Sequence, residues 1–457
     1  MVVLIIISLI LILIIISRNI ISNKISKYIL TFYLIYCGVW FGISSLNPYG
    51  LYEVSDLVYF IQFLGILMFV IGFLYCGRIQ TQNNLMIKNE VRFNLDSYKS
   101  IPFVLFILIL ILVYYLMRYY SIVAVAENAG DARMERFIKG ELFRSSIEIY
   151  FYNYIICSIA IFCYVIILNS IIIEKRFNIT FYLSIIYIFI YSLLGSGRGP
   201  LIDLFIMLIL AKKINAIIGA KTNNSINYNN QNYNAENKSF NFARVFLILV
   251  LVIFCLSYMT ALRMNLTEIN YGNLQLGFLE FLKQSVVYFI GPFRSFNFAL
   301  NHNYLGTSGL LLGRGTFGGI DELFGRLVSL FGINYNYSSA IIGDLLQKKF
   351  ITIGSETTFN FAYTHLMIFY FDFGIFGVIL LSFLFGYFVR RIINYFHIHP
   401  NFFSLAIILL IFDVLVLSIF KWTLQAPDSL IFLIIAYHFS KKNNTNLKIF
   451  KPLLIKS

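Results

Sequence analysis

The stretch "VVLIIISLILILIIIS" at residues 2–17 has no charged side chain and only two serines among its aliphatic residues. A helix needs about 20 mainly apolar residues to cross the hydrocarbon core of a bilayer. Ten further apolar runs follow it, near residues 29–46, 57–76, 101–117, 149–173, 178–195, 200–211, 245–262, 364–389, 402–420 and 429–440. Only 12% of the 457 residues are charged, which is about half the usual share in soluble domains. The sequence therefore predicts an all-α polytopic membrane protein, with about 11 transmembrane helices in a single membrane domain over residues 1–457.

Lysine and arginine are unevenly distributed among the loops between these runs. Alternate loops and the C-terminal tail hold 21 of the 35 basic residues, and the segments between them hold fewer for their length. Loops rich in lysine and arginine face the cytoplasm, so this distribution predicts an outer N-terminus and a cytoplasmic C-terminus. No basic residue precedes the first run, which favours a spanning helix over a cleaved signal peptide. The net charge of +14 is then largely the charge of cytoplasmic loops, and it predicts no nucleic-acid binding.

Three segments between the runs are too long to be simple connections. Two of them, residues 118–148 and 263–361, lie on the predicted outer side. Within the second, "LGFLEFLKQSVVYFIGPF" at residues 276–293 is amphipathic and predicts a helix in the membrane interface or a re-entrant helix. The third, residues 219–243, is rich in asparagine and poor in aliphatic residues, which predicts a disordered cytoplasmic loop.

The predicted outer segments favour arginine over lysine. They hold nine arginines and five lysines, whereas the cytoplasmic segments hold seven arginines and fourteen lysines. Anion recognition explains such a bias, because a guanidinium group presents a planar fork to phosphate or carboxylate oxygens. We therefore expect an anionic ligand on the outer side, with Arg133 and Arg136 of the first outer loop among its contacts. The alternative for these two residues is surface salt bridges with the acidic residues of the same loop.

The stretch "LLGSGRGPLIDLF" at residues 193–205 places Arg198 between glycines, at the junction of two apolar runs. An arginine near the depth of the bilayer costs at least a few kcal/mol. Pro200 is suited to open the following helix, and a helix N-terminus favours anions. This combination predicts a site for a lipid-linked phosphate at Arg198, which we also predict as a catalytic residue. The alternative is an arginine in a tight interfacial turn that extends to the water and pairs with Asp203.

Two ionisable residues lie near the outer end of the run at 364–389. His365 and Asp372 are seven residues apart, about two helical turns, so they share one face of a helix. Ionisable residues inside a span are functional candidates, and histidine titrates near neutrality, as a general base requires. We predict both as catalytic residues. The alternative for His365 is an interfacial histidine that is bonded to the backbone or to lipid.

Metal binding is not predicted from this sequence. The five cysteines all lie in apolar runs and form no CxxC pair, which argues against a zinc site or a disulfide framework. The stretch "RGTFGGIDELFG" at residues 314–325 contains the acidic pair Asp321 and Glu322, which are candidates for a base or for metal ligands. An acidic pair without histidine gives little metal specificity.

The chain resembles the Wzy-type O-antigen or capsule repeat-unit polymerases of bacterial inner membranes. The resemblance rests on "GSGRGP" at residues 195–200, on "TTFNFAYTHLMIFYFDFGIFGVILLSFLFG" at residues 357–386, and on a large outer loop between the eighth and ninth spans. It implies a GT-C-like glycosyltransferase at the outer face of the membrane. This enzyme would transfer a growing glycan from undecaprenyl diphosphate onto a newly flipped, lipid-linked repeat unit.

The resemblance also implies roles for particular residues and partners. The diphosphate would be held by outer arginines, which here are Arg198, Arg294, Arg314 and Arg326. An arginine–glycine spacing is found in some members of the family. This sequence contains one match to it, Arg314 and Gly325. The implied partners are the lipid-linked oligosaccharide, membrane lipid, a flippase and a chain-length regulator, and no cofactor is needed.

Several alternatives remain open at this point. An O-antigen ligase shares the layout and the donor but uses lipid A core as its acceptor. A glycolipid flippase is a transporter and would be expected to show polar residues along many spans. Aromatic residues of the outer loop either pack against sugar rings or anchor the loop in the membrane interface, as tyrosine does in most membrane proteins. They include Tyr335, Tyr337 and Tyr363.

Overall fold

The computed structural model describes residues 2–80, 100–125, 142–171, 177–195, 270–344, 351–355, 357–359, 363–398 and 402–448, with short stretches between 200 and 264. Backbone contacts group the chain into two compact units. The first contains Met1–Lys99, Tyr150–Arg176 and Tyr288–Ser457. The second contains Ser100–Ile149 and Phe177–Val287.

The described part of the chain is mostly helical. In chain order its α-helices are α1 (Val2–Ile20), α2 (Lys24–Ser45), α3 (Asp56–Gln80), α4 (Ser100–Val125), α5 (Ser146–Tyr150), α6 (Cys157–Asn169), α7 (Ile179–Gly195), α8 (Tyr271–Asn301), α9 (Tyr304–Ser308), α10 (Gly318–Ser329), α11 (Ser338–Ile342), α12 (His365–Ile398), α13 (Phe402–Leu417) and α14 (Pro427–Lys448). A π-helical turn, Phe151–Ile156, joins α5 to α6, and 3-10 turns lie at Pro48–Gly50 and Thr423–Gln425. Two short strands, β1 (Ile351–Thr352) and β2 (Thr358–Phe359), pair in antiparallel fashion.

In the part of the chain that the structure describes, six helical segments are long and apolar enough to cross a membrane. They are Val2–Ile20, Lys24–Ser45, Asp56–Gly77, Ser100–Ile122, Ser146–Asn169 and His365–Ile398. Shorter apolar helices at Ile179–Leu194, Phe402–Leu417 and Pro427–His438 coincide with three more of the predicted runs. The prediction of a mostly helical protein with several membrane-spanning helices is confirmed. The count of eleven stays a prediction, because the run at 245–262 falls largely outside the described residues and the run at 200–211 is described only in part, as helix at 200, 203–204 and 206–211.

The long segments between the runs contain more helix than simple loops. In the predicted loop at 118–148, α4 continues to Val125 and α5 begins at Ser146, and most residues between them lie outside the described part. The segment at 263–361 holds α8 to α11 and both strands. The amphipathic stretch at 276–293 is the middle of the 31-residue helix α8. Residues 219–243, predicted as disordered, lie outside the described residues.

Helices α3 and α12 of the first unit pack closely through glycines. A Cβ atom placed on Gly72 would lie 2.0 Å from the carbonyl oxygen of Phe383. A Cβ atom on Gly386 would lie 2.0 Å from the carbonyl oxygen of Phe69. Small residues at a helix crossing allow the two backbones to approach, which is a common way to pack helices in a membrane. The glycines of these two apolar runs therefore create one close helix pair.

Helix α12 is broken at the "DFG" stretch. Gly374 has φ 63° and ψ −148°, a conformation that is essentially restricted to glycine. The carbonyl oxygens of Phe371 and Asp372 before the break accept hydrogen bonds from the amides of Leu311 and Leu312, at 3.0 and 3.1 Å. Residues 375–398 extend about 36 Å at 1.5 Å per residue, which is enough to cross the hydrocarbon core. The predicted run at 364–389 is therefore a short buried helix followed by a long one.

Contacts within the first unit join segments that the charge distribution places on the same side. On the predicted outer side, the amide of Tyr52 donates to the carbonyl oxygen of Ile353 at 2.8 Å. On the predicted cytoplasmic side, a Cβ atom on Gly77 would lie 3.4 Å from the guanidinium of Arg390. The orientation of the chain across the membrane stays a prediction.

Candidate functional site

The N-terminal half of α10 packs against the turn between α13 and α14. A Cβ atom on Gly318 would lie 2.5 Å from the side chain of Gln425, and one on Gly319 would lie 2.9 Å from the carbonyl oxygen of Ala426. These distances leave no room for a side chain, so the two glycines are required for this close approach. The packing brings the acidic residues of α10 next to the short turn at residues 420–426.

A cavity of about 720 Å³ lies at this junction, within the first unit. Ligand pockets commonly have volumes of about 300–1,000 Å³ and combine apolar walls with a few polar groups. The aromatic residues of the wall are Tyr288, Tyr337, Tyr363, Phe420 and Trp422. The polar and charged residues of the wall are Glu322, Ser339, Asp344, Lys421 and Gln425.

Glu322 of α10 presents its carboxylate at the wall of this cavity. One carboxylate oxygen accepts a hydrogen bond from the hydroxyl of Ser339 at 3.0 Å. The other lies 3.4 Å from the hydroxyl of Tyr154 and 3.5 Å from the guanidinium of Arg326. The Glu322 side chain is 16% exposed. The carboxylate is therefore held in place, partly shielded from water and adjacent to the cavity.

Arg326 lies beside Glu322 and between two aromatic rings. Its guanidinium carbon is 5.1 Å from the ring centre of Tyr150 and 4.8 Å from that of Tyr337. Such cation–π contacts stabilise a guanidinium by about 0.5–2 kcal/mol. Burial acts to lower the pKa of Arg326, but the neighbouring tyrosines and Glu322 outweigh it and the pKa is raised. Arg326 is therefore a fixed cation, and its side chain is 34% exposed.

Gln425 offers a hydrogen-bond donor to the cavity. Its side-chain oxygen accepts a hydrogen bond from the Tyr363 hydroxyl. Its amide nitrogen is buried and has no hydrogen-bond partner among the described residues. A buried donor without a partner costs free energy, so this nitrogen is suited to bind an oxygen atom of a ligand. Burial also raises the pKa of Tyr363, which keeps its phenol protonated.

Arg314 and Asp321 form a separate ionic cluster next to α10. The guanidinium of Arg314 donates to Asp321 at 3.0 Å and lies 4.9 Å from the ring centre of Tyr335. Asp321 also accepts hydrogen bonds from the Tyr335 hydroxyl and the Ser338 amide. Burial acts to raise the pKa of Asp321, but these hydrogen bonds and the one from Arg314 outweigh it and the pKa is lowered. A Cβ atom on Gly325 would lie 2.7 Å from the Tyr335 ring, so Arg314 and Gly325 meet at the same tyrosine.

Asp372 anchors the glycine-rich loop before α10. Its carboxylate accepts hydrogen bonds from the amides of Gly313, Gly315 and Thr316 at 3.1, 2.8 and 2.7 Å. The Thr316 hydroxyl donates to it as well. The Asp372 side chain is fully buried, and its acceptor sites are taken by these four donors. The structure thus places Asp372 where it orients the loop, behind the described wall of the cavity.

His365 lies behind the cavity wall and supports Trp422. Its ring stacks on that of Trp422, with centroids 5.9 Å apart and planes inclined by 25°. Its Nδ1 atom is 2.9 Å from the carbonyl oxygen of Ser418, which is the backbone bond considered as the alternative. The indole nitrogen of Trp422 donates to the carbonyl oxygen of Thr316 at 2.9 Å. His365 contacts Trp422 and Asp372 contacts Thr316, so the two residues are linked through the hydrogen bond between Trp422 and Thr316.

Arg294 lies elsewhere, at the end of α2. Its guanidinium donates to Ser44 at 3.1 and 3.2 Å, to the carbonyl oxygen of Ile290 at 3.0 Å and to the side chain of Asn47 at 2.8 Å. It is 3% exposed. A cation is favourable at a helix C-terminus, where carbonyl oxygens lack partners. Arg294 therefore fixes the end of α2 instead of reaching the cavity.

The remaining predicted arginines, Arg133, Arg136 and Arg198, lie outside the described residues.

No family model, no curated protein and no solved structure matches this chain. Several residues of the cavity wall were not predicted from the sequence as site residues, and they include Lys421 and Gln425. The signal for them was present in "FKWTLQAPD" at residues 420–428, a short polar interruption between two apolar runs.

Proposed function

We propose that this protein is a membrane glycosyltransferase that polymerises undecaprenyl-diphosphate-linked repeat units into O-antigen or capsular polysaccharide. The observation that carries the proposal is the cavity of about 720 Å³, which combines an aromatic wall with a carboxylate and a lysine. These groups lie on segments that the charge distribution assigns to the outer side. The reaction would therefore take place at the outer face of the bacterial inner membrane.

The aromatic wall suits a glycan substrate. Sugar rings have an apolar face that packs on tyrosine or tryptophan, and hydroxyl groups that need hydrogen-bond partners. Tyr337, Tyr363 and Trp422 supply aromatic faces in this cavity. Ser339 and Gln425 supply polar atoms beside them, including the amide nitrogen of Gln425 that has no partner among the described residues.

The cations of the cavity suit a leaving diphosphate. Negative charge develops on that group as its bond to the sugar breaks, and cations already in position stabilise it. Lys421 is exposed and lies in the cavity wall, and Arg326 lies beside the wall residue Glu322. Of Arg294, Arg314 and Arg326, the implied arginines that the structure describes, Arg326 is thus best placed for this role, together with Lys421.

The test is chain extension by the purified full-length protein in liposomes. The substrate is the undecaprenyl-diphosphate-linked repeat unit extracted from cells that lack this gene. We expect a ladder of longer lipid-linked glycans, separated by gel electrophoresis, together with release of undecaprenyl diphosphate. Liposomes without protein are the control.

Other outcomes would identify the competing functions. Transfer of the unit to added lipid A core, without extension, would contradict the proposal and indicate a ligase. Movement of an unchanged unit across the bilayer would contradict it and indicate a transporter. In the native cell, deletion of the gene should leave lipid A core with a single repeat unit attached.

A further inference from the structure

Glu322 is the carboxylate best positioned for chemistry in the cavity. The cavity wall contains a second carboxylate, Asp344, but it is exposed and follows the short helix α11. Glu322 belongs to a regular turn of α10, and the hydrogen bond from the Ser339 hydroxyl of α11 holds its carboxylate. A catalytic carboxylate must be held in a fixed geometry relative to the reacting atoms.

The contacts of Glu322 leave room for one more hydrogen bond. A carboxylate has about four lone-pair sites. The bond from the Ser339 hydroxyl has ordinary length at 3.0 Å, whereas the contacts to Tyr154 and Arg326 at 3.4 and 3.5 Å are long and weak. The Glu322 carboxylate therefore retains acceptor capacity toward the cavity that it lines.

We infer that Glu322 is the residue that takes the proton from the attacking hydroxyl of the acceptor sugar. This inference rests on the proposed function. The hydroxyl proton moves to the Glu322 carboxylate while the hydroxyl oxygen forms a bond to the anomeric carbon of the donor. The bond from that carbon to the diphosphate oxygen breaks, and its electron pair leaves with undecaprenyl diphosphate. The protonated Glu322 then returns its proton to water.

Arg326 acts through Glu322 as a positioning residue. The aromatic rings of Tyr150 and Tyr337 hold its guanidinium, and the guanidinium lies 3.5 Å from the carboxylate. The guanidinium therefore holds the Glu322 carboxylate in position before the substrate arrives.

The test compares Glu322→Gln with Glu53→Gln in the liposome assay. Glu53 is an exposed carboxylate on the predicted outer side and is absent from the described cavity wall, so its amide variant is a matched control. General base catalysis contributes about 100- to 10,000-fold, so we expect chain extension by Glu322→Gln to fall at least about 100-fold. Glu53→Gln should extend glycans at the wild-type rate.

A measurement of substrate binding distinguishes a role of Glu322 as a base from a purely structural role. Trp422 lines the cavity, and replacement of the other tryptophan, Trp40→Phe, makes its fluorescence a direct signal of binding. We expect the affinity of Glu322→Gln for the extracted lipid-linked repeat unit to stay within about threefold of the wild-type affinity. The reason is that this substitution slows the chemical step and leaves substrate binding intact. A parallel loss of binding and extension would overturn the inference and indicate a structural role.

A second variant covers the case in which Glu322→Gln folds poorly. Glu322→Ala leaves space at the carboxylate position, and added formate should restore part of the extension rate in a concentration-dependent manner. Formate should not accelerate Glu53→Gln. Failure of rescue in a folded, substrate-binding Glu322→Ala protein would count against Glu322 as the base.

The outcomes also separate this inference from the proposed function. Wild-type protein that extends glycans, with Glu322→Gln at the same rate, would overturn the role of Glu322 and leave the function standing. Wild-type protein that extends no lipid-linked repeat unit would overturn both.

Discussion

Arg294 and Arg326 belong to the same predicted outer segment and were assigned the same role, yet the fold uses them in different ways. Arg294 is 3% exposed and donates to the backbone and side chains at the end of α2. Arg326 is 34% exposed, stacks between two tyrosine rings and pairs with Glu322 at the cavity. One guanidinium completes a helix end, and the other remains partly available to a ligand.

The difference shows that charge and sidedness do not decide whether an arginine binds substrate. A buried guanidinium must have its donors satisfied by the protein, because an unsatisfied charged group is costly at low dielectric. The terminal nitrogens of Arg294 donate hydrogen bonds to Ser44, Ile290 and Asn47. A ligand would have to displace these bonds. The two sites should therefore respond in opposite ways to mutation, in stability at one and in activity at the other.

The largest expected effect is loss of stability in Arg294→Ala. The substitution removes several buried hydrogen bonds of a charged donor, to Ser44, Ile290 and Asn47, which should cost about 3 kcal/mol or more. The measurement is the thermal unfolding midpoint of the protein in detergent micelles. Arg326→Ala is the matched control, and its midpoint should fall much less because its ion pair is partly exposed. Equal shifts for the two variants would erase the distinction between the sites.

Asp372→Asn should come next, with a loss of about 2 kcal/mol. An asparagine replaces one acceptor oxygen by an NH₂ group, which would face either the amide donors of Gly313 and Gly315 or the amide donor of Thr316. We expect a lower unfolding midpoint together with weaker binding of the lipid-linked unit, since the loop beside α10 loses its anchor. An unchanged midpoint with abolished extension would instead support Asp372 as a catalytic residue.

The apolar spans could be predicted from the sequence because length and composition decide whether a helix can cross a bilayer. The contacts that give Arg294 and Arg326 different roles could not be predicted from the sequence. Ser44 and Arg294 are 250 residues apart, so their hydrogen bond depends on tertiary packing. The break at Gly374 was hidden for a similar reason, because an apolar run looks the same whether or not its helix bends. Lys421 was counted as an outer cation, but its place at the cavity depends on how α10 packs.

Arg326→Ala should lower the rate of chain extension about tenfold with little change in the unfolding midpoint, which would sharpen the contrast with Arg294. Under the proposed function, the expected loss is smaller than for Glu322→Gln, because Arg326 would act through Glu322 and Lys421 would remain to stabilise the diphosphate. The measurement is the extension rate in liposomes at saturating lipid-linked unit. Arg314→Ala provides the comparison, since Arg314 pairs with Asp321 outside the cavity wall. A greater loss of extension in Arg314→Ala than in Arg326→Ala would indicate that the diphosphate binds near Tyr335.

His365→Phe is expected to have the smallest effect of the four. The phenyl ring keeps the stacking on Trp422, and only the hydrogen bond to the Ser418 carbonyl oxygen is lost, at a cost of about 1 kcal/mol. We expect chain extension within a few-fold of the wild type and unchanged Trp422 fluorescence. His365→Ala removes the ring as well, so it should shift that fluorescence and slow extension by disturbing the cavity wall. The contrary outcome is that His365→Phe abolishes extension while the Trp422 fluorescence stays the same. That result would indicate that His365 takes part in proton transfer and does not only support Trp422. It would make His365 a second candidate base beside Glu322.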